Sequence, residues 1–218
     1  MSTTSRPPIK KTATAGKPKP PPTHTSRYDA VWRAAETYLR ARKNDVHVPL
    51  SYDFARQLLT ANPEADEDIV SLAILLHDIG WWSIDATEIF SKGFGPNMMT
   101  SDVRFLHESE GVRLSRDILT TLRWPEATIA AVGEIIDGHD TRKEPRSLND
   151  RLVRDADKLW RFTVTGVAIA SDWFKMTPSV YTRRLETEIL PILETDEGRR
   201  IAMELLPQTR LALKTHLL

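Results

Sequence analysis

Residues 72–82 read LAILLHDIGWW, a run of aliphatic side chains that ends in two ionisable ones, His77 and Asp78. Acidic residues precede the run, which favours a helix N-terminus there. The helix that this pattern predicts is apolar on every side, and such a helix belongs in the middle of a bundle. Because a buried charge is costly unless it is compensated, the His-Asp pair needs a partner elsewhere in the chain.

The rest of the sequence from Tyr28 onward is also patterned for helices. Apolar residues recur at helical spacing in YDAVWRAAETYLRAR and again in SYDFARQLLT after Pro49. Further helices are predicted at 101–122, 125–139 and 147–162, with two or three more in 163–218, broken near Pro178 and Pro191. Residues 83–100 predict a loop with one short helix, which could act as a lid. With no strand hairpin and no internal repeat, the fold class is all-α.

The two parts of the chain differ in composition. Residues 1–26 contain six of the 14 prolines and five basic residues but no acidic one, and they predict a disordered, basic tail. Residues 27–218 predict a single helical domain, which could form a homo-oligomer. The formal net charge is zero, so neither a membrane nor a specific nucleic acid is expected as a partner. The chain has no cysteine, no apolar leader and no membrane-length apolar stretch, and we expect it to be cytoplasmic.

Four of the six histidines are evenly spaced along the helical part. His47, His77, His107 and His139 are separated by 30, 30 and 32 residues, each on or at the end of a different predicted helix, whereas the other two lie near the chain ends. Consecutive antiparallel helices can bring such residues to one level of a bundle. Imidazoles and carboxylates are ligands for Zn, Mn or Fe, and a divalent cation would compensate buried acids. The alternative is a hydrogen-bonded His-Asp pair at a helix C-terminus.

These motifs resemble the H…HD…D signature of the HD-domain superfamily of metal-dependent phosphohydrolases. The matching residues are His47, His77 with Asp78 in LLHDIG, and Asp157 in DADKL, so the resemblance covers about residues 45–162. It implies an HD-like helical bundle, to which 163–218 would add C-terminal helices. The superfamily register favours Asp157 over Asp155 as the last ligand. We expect Asp155 to orient a ligand histidine instead.

His107 and His139 extend the resemblance to the subset with the pattern H…HD…H…H…D. That subset implies two metal ions, Mn or Fe rather than Zn or Mg, with Asp78 bridging them and His107 and His139 on the second ion. Alternatively, these two histidines line a cleft with one metal and bind phosphate. The glutamate that follows HD in HD nucleotidases is absent, as are the HHE and GYP elements of cyclic-di-GMP phosphodiesterases.

The resemblance implies hydrolysis of a phosphate ester or anhydride of a small, nucleotide-like molecule by hydroxide from a metal-bound water. Asp78 and Lys158 are the predicted catalytic residues. Lys158 and Arg161 are predicted to bind phosphate, with Arg142 and Lys143 as weaker candidates.

Other readings of the site remain open. Asp140 would accept a proton or hold His139, and Trp81 and Trp82 would flank a planar group or pack under a loop. The same ligand pattern occurs in mixed-valent di-iron oxygenases such as myo-inositol oxygenase and a phosphonate-cleaving oxygenase. A third possibility is a regulatory module without turnover.

Overall fold

The computed structural model describes residues 26–92 and 101–215, and every regular element in these ranges is helical. Residues 1–25 of the predicted tail, the C-terminal part of the predicted lid, His24 and His216 lie outside the described residues. The α-helices are α1 (Asp29–Ala35), α2 (Asn44–Ala61), α3 (Glu67–Leu76), α4 (Ala86–Lys92), α5 (Asp102–Thr121), α6 (Glu126–Ile136), α7 (Leu148–Leu159), α8 (Val164–Trp173), α9 (Pro178–Arg184) and α10 (Asp196–Thr215). The all-α prediction is confirmed.

Helix α3 is the central helix that the apolar run predicts. Its side chains from Val70 to Leu76 are all buried, and it packs against α2, α6 and α7. The Asp66 carboxylate caps the helix by accepting hydrogen bonds from the backbone N–H groups of Asp68 and Ile69. This packing places His77 and Asp78, which directly follow α3, in the interior of the bundle.

The chain ahead of α2 differs from the sequence prediction. The pattern from Tyr28 forms α1 and then a separate 3₁₀ segment, Tyr38–Lys43, rather than one continuous helix. Arg42 and Lys43 both have positive φ, which turns the chain so that α2 begins at Asn44. The helix predicted to follow Pro49 therefore contains it, and His47 lies in the second turn of α2.

The C-terminal region forms three helices, as expected. Pro178 begins α9, and a short π and 3₁₀ stretch around Pro191 separates α9 from α10. Helix α10 packs against α7, α8 and α9. Within the described ranges, no helix combines the length and apolarity needed to cross a membrane.

Candidate metal centre

Six predicted ligands from five places in the chain converge inside the bundle. Each is buried, with at most 6% of its surface exposed. They are His47 on α2, His77 and Asp78 after α3, His107 on α5, His139 after α6, and Asp157 on α7. Residues separated by about 110 positions in sequence thus face one another, as the spacing of the histidines predicted.

The first half of the site is formed by His47, His77 and Asp157. The two imidazole Nε2 atoms are 2.9 Å apart. Asp157 Oδ1 lies 3.3 Å from Nε2 of His47 and 3.5 Å from Nε2 of His77. Asp78 Oδ2 approaches the same pair at 3.4 and 3.7 Å. Two imidazoles and carboxylate oxygens so placed are a suitable ligand set for a divalent transition metal.

The second half is formed by His107 and His139, whose Nε2 atoms are 3.5 Å apart. Asp78 Oδ1 lies 3.7 Å from His107 Nε2 and 3.6 Å from His139 Nε2. The Asp78 carboxylate therefore presents one oxygen to each pair of histidines. That is the arrangement a carboxylate needs if it is to bridge two cations.

Asp140, predicted to accept a proton or to hold His139, also lies near His107. Its Oδ2 atom lies 3.9 Å from His107 Nε2, and His107, His139 and Asp140 together offer atoms that could hold a metal ion. The two other such groups in the described part of the chain are His47 with His77 and Asp157, and His77 with Asp78 and His139. Asp140 is thus a candidate ligand as well as a neighbour of His139.

Three of the histidines are held in orientation by a polar contact at Nδ1, the ring nitrogen that does not face the other ligands. Nδ1 of His77 donates to the Ile74 carbonyl at 2.7 Å, and Nδ1 of His139 donates to the Ile136 carbonyl at 2.9 Å. His47 Nδ1 lies 3.2 Å from the hydroxyl of Ser51. When Nδ1 carries the proton, Nε2 has a free lone pair directed to the centre, which is the tautomer a metal ligand requires.

His107 is held differently, by the indole of Trp81. The two rings are stacked with centroids 4.1 Å apart. Trp81 also donates from Nε1 to Asp78 Oδ1 at 2.9 Å and packs against Ile84 and Ile89. Trp81 thus packs under the following segment, which is one of the two roles predicted for it. Trp82 is 46% exposed and meets Tyr38 edge-on.

Glu108 is a buried residue near the site that the sequence analysis missed. Its carboxylate accepts hydrogen bonds from the backbone N–H groups of Asp140 and Thr141 and from the Thr141 hydroxyl. Glu108 therefore fixes the turn that carries His139 and Asp140. No sequence signal separates it from Glu110 in the same HESEG stretch, which pairs with Arg113 at the surface.

Burial and close charges shift the pKa values of the site residues. Burial opposes ionisation of Asp78 and Asp157, but neighbouring histidines hold the pKa of both carboxyls well below the usual range. Burial also opposes protonation of His139, yet Asp78 and other acids raise its pKa to about 9. Burial and the neighbouring His139 lower the pKa of His107 to about 3. In the metal-free protein, protonated imidazole thus compensates the buried acids.

Beside the ligands lie a small void and a larger cavity. The void, of about 10 Å³, is lined by His47, Asp78, His139, Asp140 and Asp157, among others. The cavity has a volume of about 670 Å³ and shares several walls with the void, including His139 and Asp157. A substrate in the cavity would therefore reach the ligand cluster.

The wall of this cavity is rich in cationic side chains. All four predicted phosphate-binding candidates line it: Lys158, Arg161, Arg142 and Lys143. So do four arginines that the sequence analysis did not single out: Arg42, Arg104, Arg154 and Arg184. Lys158 donates to the Arg154 carbonyl at 3.0 Å, and its burial lowers the pKa of the Lys158 ammonium. The cavity is suited to an anionic ligand.

The prediction that Asp155 orients a ligand histidine is wrong. Its carboxylate accepts hydrogen bonds from the backbone N–H groups of Glu194 and Thr195 at 2.7 and 2.9 Å, and from the Thr195 hydroxyl. Residues two positions apart on a helix point to nearly opposite sides. Asp157 therefore faces the histidines, whereas Asp155 faces the turn before α10.

A family comparison agrees with this geometry. The family model described as HD domain matches residues 45–161, which contain all six predicted ligands. No curated protein and no solved structure matches the chain.

Proposed function

The chain belongs to the HD domain family, and we propose that it is a metal-dependent phosphohydrolase that cleaves a phosphate ester or anhydride of a small, nucleotide-like molecule. His47, His77 and Asp157 would hold one divalent cation, His107 and His139 a second, and Asp78 would bridge them. The cations, Mn or Fe, would activate water and neutralise the charge of the phosphoryl group.

The observation that carries the proposal is the position of the Asp78 carboxylate. Its two oxygens face separate histidine pairs at 3.4 to 3.7 Å, and the whole cluster adjoins a cavity with a cationic wall. A ligand cluster alone would suit several chemistries. The arginines and lysines favour a phosphorylated substrate, because their charges match the oxygens of a phosphoryl group.

Within the cavity, Lys158 and Arg161 would bind the phosphoryl group. Arg161 Nη2 lies 4.0 Å from Asp157 Oδ2, next to the ligand cluster. Lys158 neighbours Asp157 in sequence and lines the same cavity. Their contacts would orient the phosphorus atom toward the activated water, which lowers the entropic cost of reaching the transition state.

The part of the cavity wall formed by α9 and the residues around it includes apolar and aromatic side chains. Phe174 and Tyr181 stack with their ring centroids 5.9 Å apart, and Ile189 and Ile192 line the cavity near them. A cavity of about 670 Å³ accommodates a small molecule. A substrate with a phosphoryl end and a planar, partly apolar end, such as a nucleotide, suits this combination.

The test begins with metal analysis of protein purified without oxygen, followed by a panel of phosphomonoesters, diesters and anhydrides with added Mn. We expect phosphate release that is indifferent to oxygen and abolished by Asp78→Ala. Asp53→Asn, which removes a carboxylate from the exposed side of α2, is the matched control and should keep full activity.

Two results would overturn the proposal. Oxygen uptake by iron-replete protein with a mixed-valent EPR signal would indicate an oxygenase. Protein that binds no metal would indicate a regulatory module.

A further inference from the structure

Arg42 is a cation at the boundary between the ligand cluster and the cavity. Its guanidinium lies over the ring of Trp81, 4.5 Å from the centroid, and 5.2 Å from the ring centroid of Trp173. Its Nη1 atom is 3.4 Å from Asp78 Oδ2. The side chain is 13% exposed, and it lines both the small void and the larger cavity. Arg42 therefore faces any group that bridges the two spaces.

The backbone at Arg42 has an uncommon conformation. Arg42 and Lys43 have φ values of 51° and 59°, in the left-handed region that residues with a Cβ atom rarely adopt. Such conformations persist where the surrounding structure enforces them, and they cluster at functional sites. At this position the Arg42 side chain contacts the rings of both Trp81 and Trp173.

A simpler role for Arg42 would be to neutralise Asp78. Asp78, however, already has Nε2 atoms of four histidines within 3.7 Å of its oxygens and the Trp81 N–H at 2.9 Å. Two bound cations would add to this compensation. The Arg42 guanidinium lies over the Trp81 ring, so its N–H bonds point along the guanidinium plane, where Nη1 donates to Asp78 Oδ2 at 3.4 Å. This is the direction in which arginine binds phosphoryl oxygens.

We infer that Arg42 is a further substrate-contacting residue, oriented by Trp81 and Trp173. In the loaded enzyme its guanidinium donates to a phosphoryl oxygen of the substrate and offsets the negative charge on that group during hydrolysis. The inference rests on the proposed function and adds a residue to it. Arg42 and Trp173 both lie outside the matched residues 45–161, whereas Trp81 lies within them.

The test measures phosphate binding and turnover separately, with the full chain loaded with Mn. For Arg42→Gln we expect inorganic phosphate to bind about 10-fold more weakly by calorimetry. We also expect kcat/KM for para-nitrophenyl phosphate to fall about 100-fold. Arg42→Lys retains the charge but lacks the planar guanidinium. Its phosphate affinity and its kcat/KM should lie between those of wild type and Arg42→Gln. Metal content and Tm should match those of wild type in both variants.

Two further variants isolate the role of the guanidinium. Arg113→Gln makes the same charge change on the exposed face of α5, and phosphate binding should stay within about twofold of wild type. Trp173→Leu removes one of the two rings but leaves Arg42. It should weaken phosphate binding and raise KM without loss of metal, because the guanidinium loses its orientation.

The contrary outcomes are distinct. Unchanged phosphate affinity in Arg42→Gln, or in Trp173→Leu, contradicts the inference. Loss of metal in both Arg42 variants would show that Arg42 acts as the counterion of Asp78 instead. A wild-type protein that binds no phosphate would also contradict the proposed contact between Arg42 and a phosphoryl oxygen. Phosphate binding that depends on Arg42, in a protein that hydrolyses nothing, would instead refute the proposed function alone.

Discussion

At the scale of single residues, the histidines of the two halves of the site are not equivalent. His47 and His139 have raised pKa values because buried acids surround them, whereas His107 has its pKa lowered to about 3 by burial and by the neighbouring His139. His107 is also the one that stacks on Trp81, and its Nδ1 has no hydrogen-bond partner among the described residues. It is therefore the ligand that can be removed with least disturbance of charge.

We predict that removal of His107 empties one half of the centre. His107→Phe keeps a ring against Trp81 but has no ligand atom, and His107→Ala removes the ring as well. Both variants should reduce the metal content from about two ions per chain to about one, since Asp78 Oδ2, His47, His77 and Asp157 are untouched. Elemental analysis checks this. A variant that still holds two ions, or none, would contradict the assignment of His107 to the second ion.

The pKa values also predict how metal binding depends on pH. With a pKa raised to about 9, His139 is protonated in the metal-free protein below that pH, and only the neutral imidazole can bind a metal. Metal binding must therefore release a proton, and affinity should rise about tenfold per pH unit up to about pH 9 for each imidazole so displaced. Mn titrations at several pH values, in buffers of different ionisation enthalpy, measure both effects.

The same titrations include an internal control. His107 has its pKa lowered to about 3, so it is neutral throughout this range and adds nothing to the pH slope. His107→Phe empties the half of the site that contains His139, so it should lose the part of the slope that His139 contributes. An affinity that does not change between pH 7 and pH 9 would show that His139 is not protonated in the metal-free protein.

At the scale of elements, the 3₁₀ turn Ile79–Ser83 and helix α5 pack so closely that their backbones are in contact. A Cβ atom placed on Gly80 would lie 1.9 Å from the His107 carbonyl oxygen and 2.5 Å from the Gly111 nitrogen. Gly111 is itself close to Ile136 of α6, at 3.1 Å from an added Cβ. These two glycines let the chain after Asp78 meet α5, which brings Asp78 near His107.

We predict that Gly80→Ala destabilises the protein by at least about 1–3 kcal/mol, because the clash is with backbone that cannot move aside easily. Gly133→Ala in α6 is the matched control. Its added Cβ would meet only Val112 Cγ1, at 3.6 Å, and alanine favours a helix by up to about 1 kcal/mol. The urea midpoints of the two variants should shift in opposite directions from that of wild type. Equal stability of Gly80→Ala and wild type would contradict the close packing.

The elements were largely predictable, because their helical periodicity is a local property of the sequence. The all-apolar run identified α3, and Pro178 and Pro191 marked breaks between the last helices. The start of α2 was not predictable, since the left-handed backbone at Arg42 and Lys43 involves no glycine. Pro49 suggested a later start instead, yet it lies inside the helix.

At the scale of the whole molecule, the predicted ligands came from a motif, whereas the residues around them depend on tertiary packing. The histidine spacing and the His77-Asp78 pair identify the predicted ligands from the sequence alone. Arg42, Glu108 and the closeness of Asp140 to His107 have no such signal, because each depends on a contact between segments that are distant in sequence. Arg42 meets Asp78 and Trp173, whereas Glu108 and His107 on α5 meet the turn after α6. Asp155 was placed wrongly for the same reason, since its partners belong to the turn before α10.

Helix α7 thus links the ligand cluster to the C-terminal helices through two carboxylates on opposite sides. We predict that Asp155→Ala destabilises the protein by about 1–3 kcal/mol, because it leaves the N–H groups of Glu194 and Thr195 without their acceptor. Its metal content should remain that of wild type. Asp157→Ala, two residues along the same helix, should instead lose metal from the first half of the site. Thermal unfolding and metal analysis of this pair separate the two roles, and metal loss in Asp155→Ala would restore its predicted role behind a ligand histidine.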